Sequence, residues 1–109
     1  MKEIWTRGVL VAVTVTVSLM ALHAPAATPP TVGIKQFTYA PSTLTVPVGT
    51  TVTWVNHDEE PHTVTSATGA FASSGLVNED SFAQTFTKPG TYQYFCALHP
   101  HMKATVIVR

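Results

Sequence analysis

The chain has one cysteine, Cys96, in 109 residues. A single cysteine cannot close an internal disulfide, so no covalent staple supports the fold. Charge is also scarce: Asp, Glu, Lys and Arg make up 11% of the residues, and the formal net charge is +0. Nothing forms the basic stripe that follows a nucleic-acid backbone, so nucleic acid is not expected as a partner. No stretch sustains the three- and four-residue apolar spacing of an amphipathic helix. No internal repeat is visible. No paired carboxylates, second metal cluster or nucleophile beside a general base stand out, so an enzyme is not expected. The longest apolar run, Val9 to Leu22, is about 14 residues, against the roughly 20 that a spanning helix needs.

That apolar run has a different meaning. Lys2 and Arg7 precede it, and the small-residue stretch Ala24-Pro25-Ala26 follows it. A basic start, an apolar middle and a small-residue exit are the parts of a secretory signal. Residues 1–26 are therefore expected to be a cleaved leader, with the cut after Ala26 or Ala27. The rival reading, an uncleaved anchor, is disfavoured by length, so no stable membrane insertion is expected after cleavage. No cysteine stands at the end of the run, so no lipid can be attached through cysteine at this boundary. The destination would be the periplasm or another extracytoplasmic space. Residues 27–31 form a Pro/Ala/Thr lead-in, and residues 32–109 form one domain.

The exported part would be about 82 residues, a size that buries only about 60% of its unfolded surface. Bound metal is one remedy for so thin a core. A lone cysteine in an exported protein is reactive, intermolecular or metal-bound. Lys35, Lys88, Lys103 and Arg109 stand against Asp58, Glu59, Glu60, Glu79 and Asp80, leaving a charge of about −1.

Beyond the lead-in, the pattern is β throughout, with short Val- and Thr-rich runs separated by Pro and Gly. Strands are expected at Thr31 to Phe37 and Leu44 to Val48, with a turn at Gly49. A third spans Thr51 to Asn56, where Val52, Trp54 and Asn56 share one face. His62 to Ser66 reads as a fourth. Ser81 to Thr87 groups Phe82, Gln84 and Phe86, and Thr91 to Cys96 groups Tyr92, Tyr94 and Cys96. Ala104, Val106 and Val108 alternate in the last strand. Seven short strands spaced by turns predict an all-β antiparallel sandwich. Ala67 to Asp80 is irregular and is not placed.

The chemistry gathers near the C-terminus. Cys96 is followed three residues later by His99 and three after that by Met102, with His62 upstream. Thiolate, imidazole and thioether suit copper cycling between Cu(I) and Cu(II), and two His, one Cys and a weak Met make a blue-copper electron-transfer set. A free cysteine is commonly a small buried hydrophobe, and a methionine commonly fills a core. Here Cys96 ends a strand and a loop bearing His99 and Met102 follows, so three side chains can fold onto one point. His101 competes with His99, but choosing it would leave Met102 adjacent and pointing elsewhere. His57 competes with His62, but it lies in the polar turn Asn56 to Glu60, which reads as exposed. Pro61 fixes the entry to His62.

Trp54-Val55-Asn56, Pro61-His62-Thr63-Val64 and Gly90-Thr91-Tyr92-Gln93-Tyr94-Phe95-Cys96-Ala97-Leu98-His99-Pro100-His101-Met102 together resemble the cupredoxin family. The short Cys-x-x-His-x-x-Met loop is most similar to the amicyanin branch, since plastocyanin-like members have a longer gap before the methionine. The resemblance covers essentially all of the chain after the leader. It implies a Greek-key β-sandwich with one copper ion at one end, held by His62, Cys96, His99 and Met102. It also implies that Asn56 ties the two ligand loops together near the thiolate. The implied role is outer-sphere electron shuttling by a monomer. Partners would be redox proteins: a c-type cytochrome, a copper oxidase or reductase, or a dehydrogenase. The acidic run Asp58-Glu59-Glu60 is a departure just before His62, so the branch's partner-guiding charge pattern is not assumed for this chain. The competing reading is a copper carrier or storage protein. Carriers favour thioether-rich sites, and the chain after the leader has only Met102.

Overall fold

The computed structural model describes residues 8–18 and 28–109. The expected leader boundary at Ala24 to Ala27 lies outside the described residues, as do residues 1–7. Residues 8–18 carry no helix or strand. No helix among the described residues is long and apolar enough to cross a membrane.

Eight strands follow: β1 (Thr31–Lys35), β2 (Thr38–Ala40), β3 (Thr43–Val46), β4 (Thr50–Asn56), β5 (Thr65–Ser66), β6 (Ser81–Phe86), β7 (Gly90–Cys96) and β8 (His99–Val108). They form two four-stranded sheets, ordered β2-β1-β4-β6 and β3-β8-β7-β5. The expected sandwich is present, but it is mixed rather than purely antiparallel. β1 runs parallel to β4, and β3 runs parallel to β8. A parallel pair cannot be joined by a tight hairpin, so the chain crosses between sheets to make each one.

Alternation explains which face each strand buries. Val32 and Ile34 of β1 and Val52, Trp54 and Asn56 of β4 point inward, as do Tyr94 and Cys96 of β7 and Ala104, Val106 and Val108 of β8. Trp54 is fully buried and forms the hub. Its ring lies 5.5 Å from Tyr94 in the facing sheet and 5.8 Å from Phe82, its partner across β4 and β6. Aromatic contacts of this kind add to area burial and hold the two sheets in one register.

Several sequence boundaries move. The expected first strand stops at Lys35, because Gln36 and Phe37 take left-handed φ values of 53° and 58° and turn the chain directly into β2. β2 has only three residues, too few to show a period in the sequence. Val48 is exposed, since β3 ends before Pro47 and Gly49 (φ 91°) makes the turn. The expected strand from His62 shrinks to Thr65–Ser66. His62 instead forms an isolated antiparallel bridge with Leu76, and Thr65 forms one with Ala72, inside the segment left unplaced.

Candidate metal centre

His62, Cys96 and His99 meet at one end of the sandwich. Cys96 is the last residue of β7, and His99 is the first of β8. Only Ala97 and Leu98 separate the strands, so the expected loop is a two-residue turn, and His99 and Met102 lie on β8 itself. The ladder runs regularly to Phe95 opposite Lys103 and then jumps to Cys96 opposite His99. Pro100, His101 and Met102 are thereby left without a partner across β7. Such a bulge bends its strand and re-aims side chains. Met102 is turned inward to 3% exposure, while His101 faces solvent.

His62 is held from both sides. Its N–H donates to the Leu76 carbonyl at 3.0 Å, and its own carbonyl accepts from Leu76 N–H at 2.7 Å. Its imidazole is fully buried. His62 Nδ1 lies 3.2 Å from His99 Nδ1 and 3.8 Å from Cys96 Sγ, and Cys96 Sγ lies 3.6 Å from His99 Nδ1. The donor atoms of all three residues fall within 4.8 Å of one another. Two imidazole nitrogens and one sulfur aimed at a common point are a metal-binding arrangement. The soft thiolate beside two imidazoles fits copper, with Met102 buried on the bulged strand as the available thioether.

The two competing histidines lie elsewhere. His57 is exposed and its Nδ1 sits 3.2 Å from Glu79 Oε1. His101 is exposed, with its ring 6.5 Å from that of His99.

Asn56 is fully buried, as its place on β4 predicts, but its bonds differ from those the resemblance implies. Its Nδ2 donates to the carbonyls of Glu60 (2.9 Å) and Leu76 (2.8 Å), and its Oδ1 accepts from Asp58 N–H (2.9 Å). It therefore braces the turn before His62 against the Leu76 segment. The link to the Cys96 side is made by Thr63. The Thr63 N–H points at Cys96 Sγ (3.3 Å), and Thr63 Oγ1 accepts from Ala97 N–H (2.7 Å). The physical reason is reach: Asn56 lies at the end of β4, in the sheet opposite β7, whereas Thr63 follows the bridge that carries the chain across.

Three residues around the site escaped the sequence reading. Besides Thr63, they are Asp58 and Phe37. Asp58 looked like part of a solvated acidic turn, yet its side chain is only 12% exposed and its Oδ2 lies 2.8 Å from His62 Nε2. Burial pushes its carboxyl pKa up. Hydrogen bonds from Phe37 N–H, Gln36 N–H and His62 outweigh that and hold it below the usual carboxylate value. Phe37 is 42% exposed, and its ring stands edge-on to both His62 and His99 at 5.0 Å. Tyr39 supports the floor: its hydroxyl donates to the Thr63 carbonyl at 2.6 Å, and burial pushes its pKa up, so it remains a donor.

A family model described as a cupredoxin-like domain matches residues 8–108. Amicyanin of Paracoccus versutus is 38% identical over 82 residues, covering 71% of this chain. The chain spans 62% of that relative's length. Among solved structures, an oxidized amicyanin variant is similar at a TM-score of 0.71 and 34% identity, with 74% of this chain and 82% of that one covered. A purple cupredoxin from Nitrosopumilus maritimus is similar at a TM-score of 0.69 and 34% identity, with 73% and 99% covered.

Proposed function

The chain belongs to the cupredoxin family, and from that premise we propose that it is a one-electron carrier with a single type I copper site. The observation that carries this reading is the convergence of His62 Nδ1, His99 Nδ1 and Cys96 Sγ within 4.8 Å. Copper held there would supply reversible one-electron chemistry between Cu(II) and Cu(I). His62, Cys96 and His99 would be the strong ligands and Met102 the weak one.

The protein's part is to keep these side chains still. Cys96 and His99 are opposed on two bonded strands, and the His62 backbone is locked to Leu76. Ligands fixed in this way suit both oxidation states with little rearrangement. Four protein ligands would leave no open position for a substrate, so the reading is a carrier and not an enzyme.

His99 is half-buried, and Leu98 and Pro100 beside it are exposed. That apolar edge is the proposed port through which electrons pass to a redox protein: a c-type cytochrome, a copper oxidase or reductase, or a dehydrogenase. The acidic residues Glu59, Glu60 and Glu79 lie on two adjoining turns, joined where Glu79 N–H donates to the Asn56 carbonyl. Their charge would steer a basic partner and act mainly on the association rate. The leader, residues 1–26, would deliver a monomeric domain to the periplasm or another extracytoplasmic space.

The deciding experiment is a visible spectrum of the protein after Cu(II) is added, followed by ascorbate. An intense thiolate-to-copper band that bleaches on reduction is expected. A protein that binds copper and stays pale would instead be a copper carrier or store. Electron-transfer rates with a basic cytochrome should fall as salt rises, and salt-independent rates would remove the steering role.

A further inference from the structure

We infer that Asp58 is the positioning residue of the metal site, a single carboxylate that sets the His62 imidazole and also clamps the turn carrying Phe37. The inference rests on the copper-site reading above for its redox consequence, but its structural part stands on the protein alone.

Asp58 makes three bonds with two oxygens. Oδ1 accepts Gln36 N–H at 2.6 Å, while Oδ2 accepts Phe37 N–H at 2.9 Å and faces His62 Nε2 at 2.8 Å. Each partner is a donor toward an ionised carboxylate, which is the stronger kind of hydrogen bond. The His62 contact fixes a tautomer. A proton on Nε2 is held by Asp58, so Nδ1 keeps its lone pair, and Nδ1 is the atom aimed at Cys96 and His99. A carboxylate behind an imidazole also makes it a more electron-rich ligand.

The backbone contacts solve a second problem. Gln36 and Phe37 form the two-residue connection between β1 and β2, where Lys35 pairs with Thr38. Both take left-handed φ, a conformation natural to Gly and Asn but strained for a phenylalanine. Strain of this kind persists where surrounding contacts over-determine it. Asp58 supplies them, taking the N–H of both strained residues. The result is the Phe37 ring edge-on to His62 (84° between planes) and His99 (87°). One carboxylate thus couples ligand orientation to the aromatic cover over both imidazoles.

The test is Asp58→Asn, with Glu59→Gln as the charge control one residue away and exposed. In the metal-free native protein, nitrogen-15 NMR should show His62 locked with its proton on Nε2, and Gln36 and Phe37 amides should exchange slowly with solvent. Asp58→Asn should release both, and Glu59→Gln should release neither. In the copper-loaded protein, Asp58→Asn should raise the midpoint potential, since a negative charge that favours Cu(II) is gone, and by clearly more than Glu59→Gln does. If Asp58→Asn does not fold, the native protein decides alone. A His62 proton on Nδ1, or fast exchange at Gln36 and Phe37, overturns the inference. Equal potentials in the two variants overturn its redox part. A protein that never turns blue would defeat the copper reading and leave the tautomer and exchange results to judge the clamp.

Discussion

The backbone N–H of Thr63 lies 3.3 Å from Cys96 Sγ. One residue thus follows the imidazole proposed to bind metal and directs a donor at the sulfur beside it. Its hydroxyl also accepts Ala97 N–H at 2.7 Å and pairs with Thr65 Oγ1 at 2.9 Å. The two ligand segments are therefore joined by main chain and side chain of the same residue. Replacing Thr63 by Ala keeps the N–H and removes the hydroxyl. The metal-free protein should lose about 1 kcal/mol in urea denaturation, and Thr63→Ser should recover most of it.

The proposed ligands separate by role. Cys96→Ser should abolish the intense visible band, because the thiolate is its source. Met102→Leu should keep copper and raise the potential measured by voltammetry, because losing a weak thioether donor favours Cu(I). A colourless, copper-free Met102→Leu protein would show that the thioether does more than tune.

Tyr39 and Tyr94 touch with ring centroids 4.8 Å apart but differ at their hydroxyls. Tyr39 donates to the buried Thr63 carbonyl, whereas Tyr94 Oη is buried with only the Trp54 indole nearby as a neighbour, outside good hydrogen-bond geometry. Tyr39→Phe should therefore cost about 1–3 kcal/mol, and Tyr94→Phe should be neutral within about 0.5 kcal/mol or stabilising. Thermal and chemical denaturation check both.

Alkaline stability gives a further check on Tyr94. Burial pushes its pKa up from 10.0 to about 12. The folded chain therefore holds the phenolic proton more tightly than the unfolded chain. That contribution is complete below about pH 10 and is lost as pH rises toward 12. Tyr94→Phe should flatten the decline in stability over that interval.

The turn at Gln36 offers a test of strain without touching the site's side chains. Gln36 holds φ 53°, which glycine adopts without penalty. Gln36→Gly should raise stability by about 0.5–1 kcal/mol and leave the visible spectrum unchanged. A loss of stability would show that the turn is not strained.

Much of this architecture was legible because alternation is a local property. Val52, Trp54 and Asn56, and likewise Tyr92, Tyr94 and Cys96, announce their inward face through a two-residue period, and the structure buries them accordingly, Tyr92 only partly. The Cys-x-x-His spacing was equally readable, since Cys96 and His99 are neighbours in chain and in space. What failed was local in appearance but long-range in cause. The strand expected from His62 is a bridge to Leu76, because its pairing partner lies in a segment with no period of its own. The parallel pairs β1 with β4 and β3 with β8 leave no trace in sequence, as pairing direction depends on how the chain crosses between sheets.

By itself the sequence determined the β character, the inward faces and the family, and it proposed the thiol–imidazole–thioether set, all of which rest on residue type and short spacing. Only the tertiary structure decided which residues hold that set in place. Phe37, Asp58 and Thr63 are separated from the groups they serve by as many as 62 residues in the case of Phe37 and His99. Asp58 reads as one more acid in a solvated turn until folding brings the Gln36–Phe37 amides and the His62 ring to its two oxygens. Hydrogen bonds act over about 3 Å, and a linear sequence does not record which distant donors will arrive within that range.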